Sequence, residues 1–286
     1  MATEIKGSPQ MSDKISPKNV PIFILAGGLG TRLSEETTHK PKPMVEIGEY
    51  PILLHIMRYY YQFGFNDFVI CAGYKAWEIK KYFLDYQFRE RDFAIDHRAS
   101  LSEGPKDLGS AGTQENWRVT VIDTGLESMT GARVARAFDR VHAERKFEHF
   151  GLTYGDGLCD VDLGKELSYH LEQNRTGTVL AVHPLARFGE LEIDGHGKVT
   201  EFSEKPQSKQ GVINGGFFFF KSEFRKYLSD QADTILERAP LVNLARDQKL
   251  SYFVHEGFWH PMDTLRDKQH LESLYASKKA PWTIRH

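Results

Sequence analysis

Apolar positions along the chain follow two periods. Short apolar runs at 22–25 and 147–154 have the length of buried strands. Residues 65–72, 117–123, 178–183 and 252–256 read as further strands, with 117–123 alternating. Phe217 to Phe220 reads as a strand covered on both faces. Between the strands the spacing turns helical. Leu53, Ile56, Met57, Tyr60 and Phe63 share one face of a helix that Pro51 opens and Gly64 closes. Further helices are predicted at about 76–88, after Thr130, at 163–174, at 236–247 and after Asp263. Residues 187–204 alternate and turn through Asp194-Gly195 as a hairpin does, and 97–113 read as a loop. Strands alternating with helices predict a mainly parallel α/β sheet, whose ligands gather beyond the carboxyl ends of the strands.

The first strand runs directly into Gly27, Gly28 and Gly30, and Thr31 and Arg32 follow. Glycines let phosphate oxygens approach backbone N–H groups. Arg32 offers a planar charged fork, and Lys42 stands between two prolines. A strand, a glycine turn and two cations make a polyphosphate cradle, although glycines alone after a first strand are common. The pattern is neither a dinucleotide fingerprint nor a P-loop, because no Gly-Lys-Ser/Thr follows.

Composition narrows the partners. The 286 residues are 40% hydrophobic and 27% charged, as in a globular domain, and no run reaches the ~18–20 residues that span a bilayer. A net charge of −2 points to neither nucleic acid nor an anionic membrane, so an anionic substrate must be met by local cations. Cys71 and Cys159 form no metal spacing or disulfide framework, and a reducing cytoplasm is expected. Residues 1–19 are polar, without the apolar core of a signal peptide, and read as a flexible extension before one domain at 20–286.

Other residues offer chemistry with a structural alternative. Gly73 ends the second strand as the glycine loop ends the first. Thr130-Gly131 can start a helix whose amino end attracts anions, with Arg133 in its first turn. Asp156, between two glycines at a strand end, can hold a metal or stabilise a turn. Asp160 and Asp162 can cap the helix at 163–174. Glu204-Lys205 is either a ligand contact or a surface ion pair worth at most ~1 kcal/mol. Asp263 can cap the helix that follows it or join Asp156 at Mg²⁺, which takes oxygen ligands.

The strings LAGGLGTRL (25–33) and KPKPM (40–44) resemble the signature of sugar-1-phosphate nucleotidylyltransferases. KPKPMVEIG, SMTGAR (128–133), YGDG (154–157), EKP (204–206), GFWHPMDTLRD (257–267) and KAPW (279–282) resemble its glucose-1-phosphate cytidylyltransferase branch, in the same order. Ser128 and Ala132 stand where that pattern has Thr and Gly. The resemblance implies a single Rossmann-like domain with a mixed, mainly parallel sheet and a small β-rich sugar-binding part near 186–220. It implies the reaction of CTP with α-D-glucose 1-phosphate to give CDP-glucose and diphosphate. Leu25, Ala26, Gly27, Gly28, Gly30, Thr31, Gly73, Ser128, Arg133 and Gly155 would then bind the nucleotide. Arg32 would meet the leaving diphosphate, Lys42 the α-phosphate and Lys205 the sugar phosphate. Glu204, Asn214 and Gly215 would hold the sugar, and Asp156 and Asp263 would hold Mg²⁺. A homo-oligomer, and a product feeding lipopolysaccharide-type surface sugars, also follow from the resemblance. Another nucleotide (UTP or dTTP), another sugar 1-phosphate, or an inactive nucleotide-binding homologue are the alternatives.

Overall fold

The computed structural model describes residues 15–89, 91–96, 104–109, 115–184, 190–194, 196, 198–203 and 211–283. Its centre is a seven-stranded sheet. The strands, in chain order, are β1 (Ile22–Ala26), β2 (Asp67–Ala72), β3 (Arg118–Asp123), β4 (His149–Tyr154), the short β5 (Gly157–Cys159), β6 (Gly177–Val182), the hairpin pair β7 (Glu190–Ile193) and β8 (Val199–Ser203), β9 (Ile213–Lys221), β10 (Leu250–His255) and β11 (Trp259–Pro261). The sheet order is β10-β6-β9-β4-β1-β2-β3. All neighbours run parallel except β9, which lies antiparallel to both β6 and β4. Outside the sheet, β11 pairs with β5.

The helices are α1 (Ile52–Gln62), α2 (Ala76–Asp85), α3 (Thr130–Glu144), α4 (Leu163–Gln173), α5 (Ala239–Arg246) and α6 (Leu265–Ala276). They cover the sheet in two layers, because alternate side chains of a strand point to opposite faces. Phe217 and Phe219 enter the core beneath α1, α2, α4 and α6. Phe218 and Phe220 enter the other core, beneath α3 and α5. The four-aromatic run thus serves both layers, and truncating one such buried ring costs about 3–5 kcal/mol. Trp282, 1% exposed, closes the first core from the carboxyl end and donates its indole N–H to His55 at 3.3 Å.

Several sequence-based boundaries shift. Pro51 caps α1 from outside, and Gly64 ends it at φ 87°. Residues 15–19, read as part of the flexible extension, are built in. Pro17–Asn19 form a helical turn, and Ile15 packs on the core beside fully buried Val20. Residues 1–14 lie outside the described residues. Within the stretch read as a loop, Lys106–Asp107 pair with Phe93–Ala94, while 97–103 and 110–113 lie outside the described residues. The hairpin at 187–204 is present as β7 and β8. Asp194 makes its turn, accepting from the backbone N–H groups of His196 and Lys198, both at 2.9 Å.

Polar groups inside the core are mostly paired. His149, His170, Thr178 and Ser251 form a buried chain at 3.0, 2.9 and 2.9 Å that knits β4, α4, β6 and β10. Glu166 on α4 is different. It is wholly buried, and neither carboxylate oxygen has a hydrogen-bond partner. Burial pushes its pKa up to about 8 from 4.5. The fold therefore binds a proton that the unfolded chain releases between those two values, and stability falls as pH rises through that window. Each unit of such a shift is worth about 1.4 kcal/mol. Glu166→Gln keeps the neutral shape without the titration. Thermal unfolding from about pH 5 to about pH 8.5 is expected to show the parent falling below the variant as pH rises. Parallel profiles would assign the burial penalty to another group.

Candidate active site

The chain leaves β1 toward β2 on one side, while β4 lies on the other. That reversal opens a crevice at the carboxyl ends of β1 and β4, where ligands of open α/β sheets bind. The glycine loop fills its floor. Gly27 is packed in, whereas a Cβ on Gly28 would meet nothing within 4 Å, so the peptide there is open to a ligand. Gly30 adopts φ 64°, which only glycine takes at little cost, and starts the turn Thr31–Leu33. The Thr37 hydroxyl contacts the Gly30 carbonyl at 3.1 Å and the Leu33 carbonyl at 3.0 Å, tying the loop to the next turn.

Three segments bring charge to this crevice. Lys42 follows extended Pro41 and opens a turn that contains Pro43. Its ammonium lies 2.6 Å from Asp156 Oδ2 and 2.8 Å from Asp263 Oδ1. Arg32 reaches the other Asp263 oxygen at 3.2 Å. Burial opposes the charge on Lys42, but the two carboxylates outweigh it and hold the ammonium pKa above its ordinary value. Asp156 stands just past β4, where the Gly155 N–H bonds the Leu25 carbonyl at 2.9 Å and holds the two strand ends together. Asp263 does not cap α6. Thr264 does, in a reciprocal box with Asp267, and this leaves the Asp263 carboxylate directed at Lys42 and Arg32. Asp162 is the cap of α4.

Arg133 sits beneath the crevice, 4% exposed. Its guanidinium donates to the carbonyls of Gly27 at 2.9 Å, Gly125 at 2.7 Å and Leu126 at 3.1 Å, and to the Thr124 hydroxyl at 2.8 Å. A Cβ on Gly27 would lie 2.3 Å from Arg133 Nη1, and one on Gly73 2.1 Å from it. These two glycines leave room for a guanidinium that clips the ends of β1 and β2 to the loop after β3. Arg136 pins the same loop, donating to the Thr124 carbonyl at 2.8 Å and the Ser128 hydroxyl at 2.7 Å, and onward to the Asp230 carbonyl. The Ser128 hydroxyl in turn donates to the Thr124 carbonyl at 2.6 Å.

The residues singled out in the sequence converge. Leu25, Ala26, Gly27, Gly28, Gly30 and Thr31 line one cleft of about 340 Å³. Arg32, Lys42, Ser128, Arg133, Gly155, Asp156 and Asp263 line the same cleft. Asn214 and Gly215 line an adjoining space of about 330 Å³ that shares Arg32, Asp156 and Asp263. They reach it because β9 runs backwards, so its first residues lie at the carboxyl edge of the sheet. Asn214 Oδ1 accepts the Gly216 N–H at 2.8 Å, and the Gly215 carbonyl accepts the Trp259 indole N–H at 2.7 Å. Gly73 backs Arg133 instead of lining the cleft. Glu204 and Lys205 lie outside the described residues.

Sequence reasoning passed over Tyr154, Glu237 and Arg136. The Tyr154 hydroxyl donates to Glu237, whose other oxygen accepts from Thr130 at 2.8 Å, so the wall between β4 and α3 is a closed set of hydrogen bonds. Tyr154 is the first residue of the YGDG string, whereas nothing local marks Glu237. Chemically, the cleft combines an open backbone at Gly28, an inner ammonium, a guanidinium at the rim and two converging carboxylates. Such an arrangement binds phosphates and stabilises charge moving among them.

The Nucleotidyl transferase family model matches residues 22–267. The glucose-1-phosphate cytidylyltransferase of Salmonella typhi is 45% identical over 259 residues, covering 91% of this chain and 97% of the relative. A UTP–glucose-1-phosphate uridylyltransferase of Synechocystis is 27% identical over 216 residues, covering 72% of this chain and 50% of the relative. The crystal structure of HddC from Yersinia pseudotuberculosis shares the fold, with a TM-score of 0.61 at 22% identity over 90% of this chain and 99% of that one. By the span of the model match and by this identity, the chain belongs to the nucleotidyl transferase family.

Proposed function

We propose that the chain is a glucose-1-phosphate cytidylyltransferase, which moves CMP from CTP onto the phosphate oxygen of α-D-glucose 1-phosphate and releases diphosphate. The observation that carries the chemistry is the meeting of Lys42, Asp156 and Asp263 beside the open glycine loop. The choice of base and sugar rests on the 45% identity to the Salmonella typhi enzyme.

The geometry suits this reaction. The attacking phosphate oxygen is already an anion, so no strong general base is needed. The barrier lies in bringing two polyanions together and in stabilising charge on the transferring group. Gly28 presents an open backbone to the nucleotide. Arg32, with 74% of its side chain exposed at the rim, can follow a leaving diphosphate outward. Lys42, 13% exposed, holds a fixed charge at the inner end. The resemblance gives Lys205 to the incoming sugar phosphate and Glu204, Asn214 and Gly215 to the sugar.

Asp156 and Asp263 fit a hard divalent cation. Both are oxygen donors, and an oxygen of each converges on the single point that the Lys42 ammonium marks. A bound Mg²⁺ would supply charge neutralisation and a template for the phosphates. Holding that ion would also release Lys42 from its two carboxylates to face phosphate. An inactive homologue is disfavoured, because Arg32, Lys42, Asp156 and Asp263 are all present and assembled.

Diphosphate release with glucose 1-phosphate and Mg²⁺, compared across CTP, UTP, dTTP, ATP and GTP, is expected to favour CTP strongly. Preference for another nucleotide would keep the chemistry and discard the base. Lys42→Ala is expected to lower kcat by at least ~100-fold, since one oriented charge in a shielded phosphate site is worth on the order of 3 kcal/mol. A variant within a few-fold of the parent would remove Lys42 from the reaction. Asp156→Asn and Asp263→Asn should each weaken Mn²⁺ binding, followed by paramagnetic resonance without substrate, and raise the Mg²⁺ needed for half-maximal rate. Unchanged Mn²⁺ binding in both would refute the metal assignment.

A further inference from the structure

We propose that the amino edge of the sheet holds a second binding site, for a small phosphorylated anion, separate from the nucleotide cleft. The segments leading into β1, β2, β3 and β4 surround a cavity of about 690 Å³. The nucleotide cleft, at the opposite edge, measures about 340 Å³. A cavity of 300–1,000 Å³, the range of small-molecule sites, holds a molecule of roughly nucleotide size. Its walls carry Lys18, Arg118, Arg145 and Lys146 against Asp67 and Glu148. In a chain of net charge −2, the lining carries a local excess of two positive charges.

How these charges are wired sets the preference for an anion. Arg145 donates from Nε and Nη2 to the two oxygens of Asp67, at 2.9 and 2.8 Å, so one cation already neutralises that carboxylate. Among the described residues, Lys18, Arg118 and Lys146 have no ion-pair partner. Arg145 Nη1 is buried without a hydrogen bond and is ion-paired with an oxygen of Glu144 at 3.6 Å, so Arg145 is committed to the protein's own carboxylates. The Arg118 guanidinium with the Lys18 and Lys146 ammonium groups around the same cavity matches phosphate oxygens. The site uses none of the residues of the nucleotide cleft, and it stands whether or not the cytidylyl reading does.

Free phosphate and the phosphate of a nucleotide or sugar share this chemistry, so both serve as probes. Inorganic phosphate and 5′-AMP are titrated calorimetrically, at low ionic strength, into the parent, Lys42→Ala and the double variant Arg118→Ala/Lys146→Ala. Phosphate is expected to bind the parent and Lys42→Ala alike, and the double variant at least ~10-fold more weakly, with diphosphate release by the double variant within about twofold of the parent. Tighter binding of 5′-AMP than of phosphate that persists in Lys42→Ala and is lost in the double variant would make the ligand a nucleotide, and equal binding would make it the bare anion. The proposal fails if phosphate does not bind at about 10 mM, where even a weak charged site fills. It fails equally if binding disappears in Lys42→Ala, which would place the anion in the nucleotide cleft, or if it survives intact in a folded double variant.

Discussion

A half-buried ammonium shared by two carboxylates is the constraint that the rest of the molecule serves. Lys42, Asp156 and Asp263 lie 114 and 221 positions apart along the pairs they form. No local structure brings them together. The sheet must place β4 beside β1, and the chain must return through β11 and α6 to present Asp263. The one ammonium lies against both carboxylates and offsets their mutual repulsion. The same balance keeps the cleft ready for ligands that carry several negative charges.

Beneath this charge layer lies a neutral scaffold of backbone contacts. Arg133 and Arg136 direct their donors mainly to carbonyls and hydroxyls of the crevice loops. Preorganised loops lose little on binding, so more of the interaction with a ligand remains as affinity or rate. The two arginines therefore act through the loop they immobilise. Arg133, which the sequence places on an anion-attracting helix end, directs its guanidinium to the protein's own oxygens.

Much of the architecture was legible before the structure. The glycine turn after the first apolar run, the helix from Pro51 to Gly64, and Asp156 at a strand end are local patterns, set by period and by turn chemistry. The reversed direction of β9 was not legible, because four consecutive phenylalanines fit a doubly covered strand of either polarity. Nor was the clip on Gly27 and Gly73. A glycine needed for a guanidinium and a glycine needed for a phosphate look alike in one sequence. Asp263 shows the same limit from another side, because capping and ligand binding both place Asp before a helix. Only the Thr264–Asp267 box, whose spacing was there to be read, separates them. The built-in turn at 17–19 was hidden by its polar residues.

The backward run of β9 also bears on how such a protein can diversify. Val182 at the end of β6 pairs with Ile213 at the start of β9, so residues 183–212 leave and rejoin the sheet at one point on its rim. A segment with adjoining ends can be lengthened, shortened or replaced at little entropic expense and without shifting the strands that anchor it. Its ends flank Asn214 and Gly215, on the side of the cleft away from the glycine loop. Variation in that segment can therefore change this rim of the cleft while the glycine loop, Lys42 and Asp156 stay in place. The fold is thus a chassis with an interchangeable tool mount, and one family can drift among substrates without reinventing its chemistry.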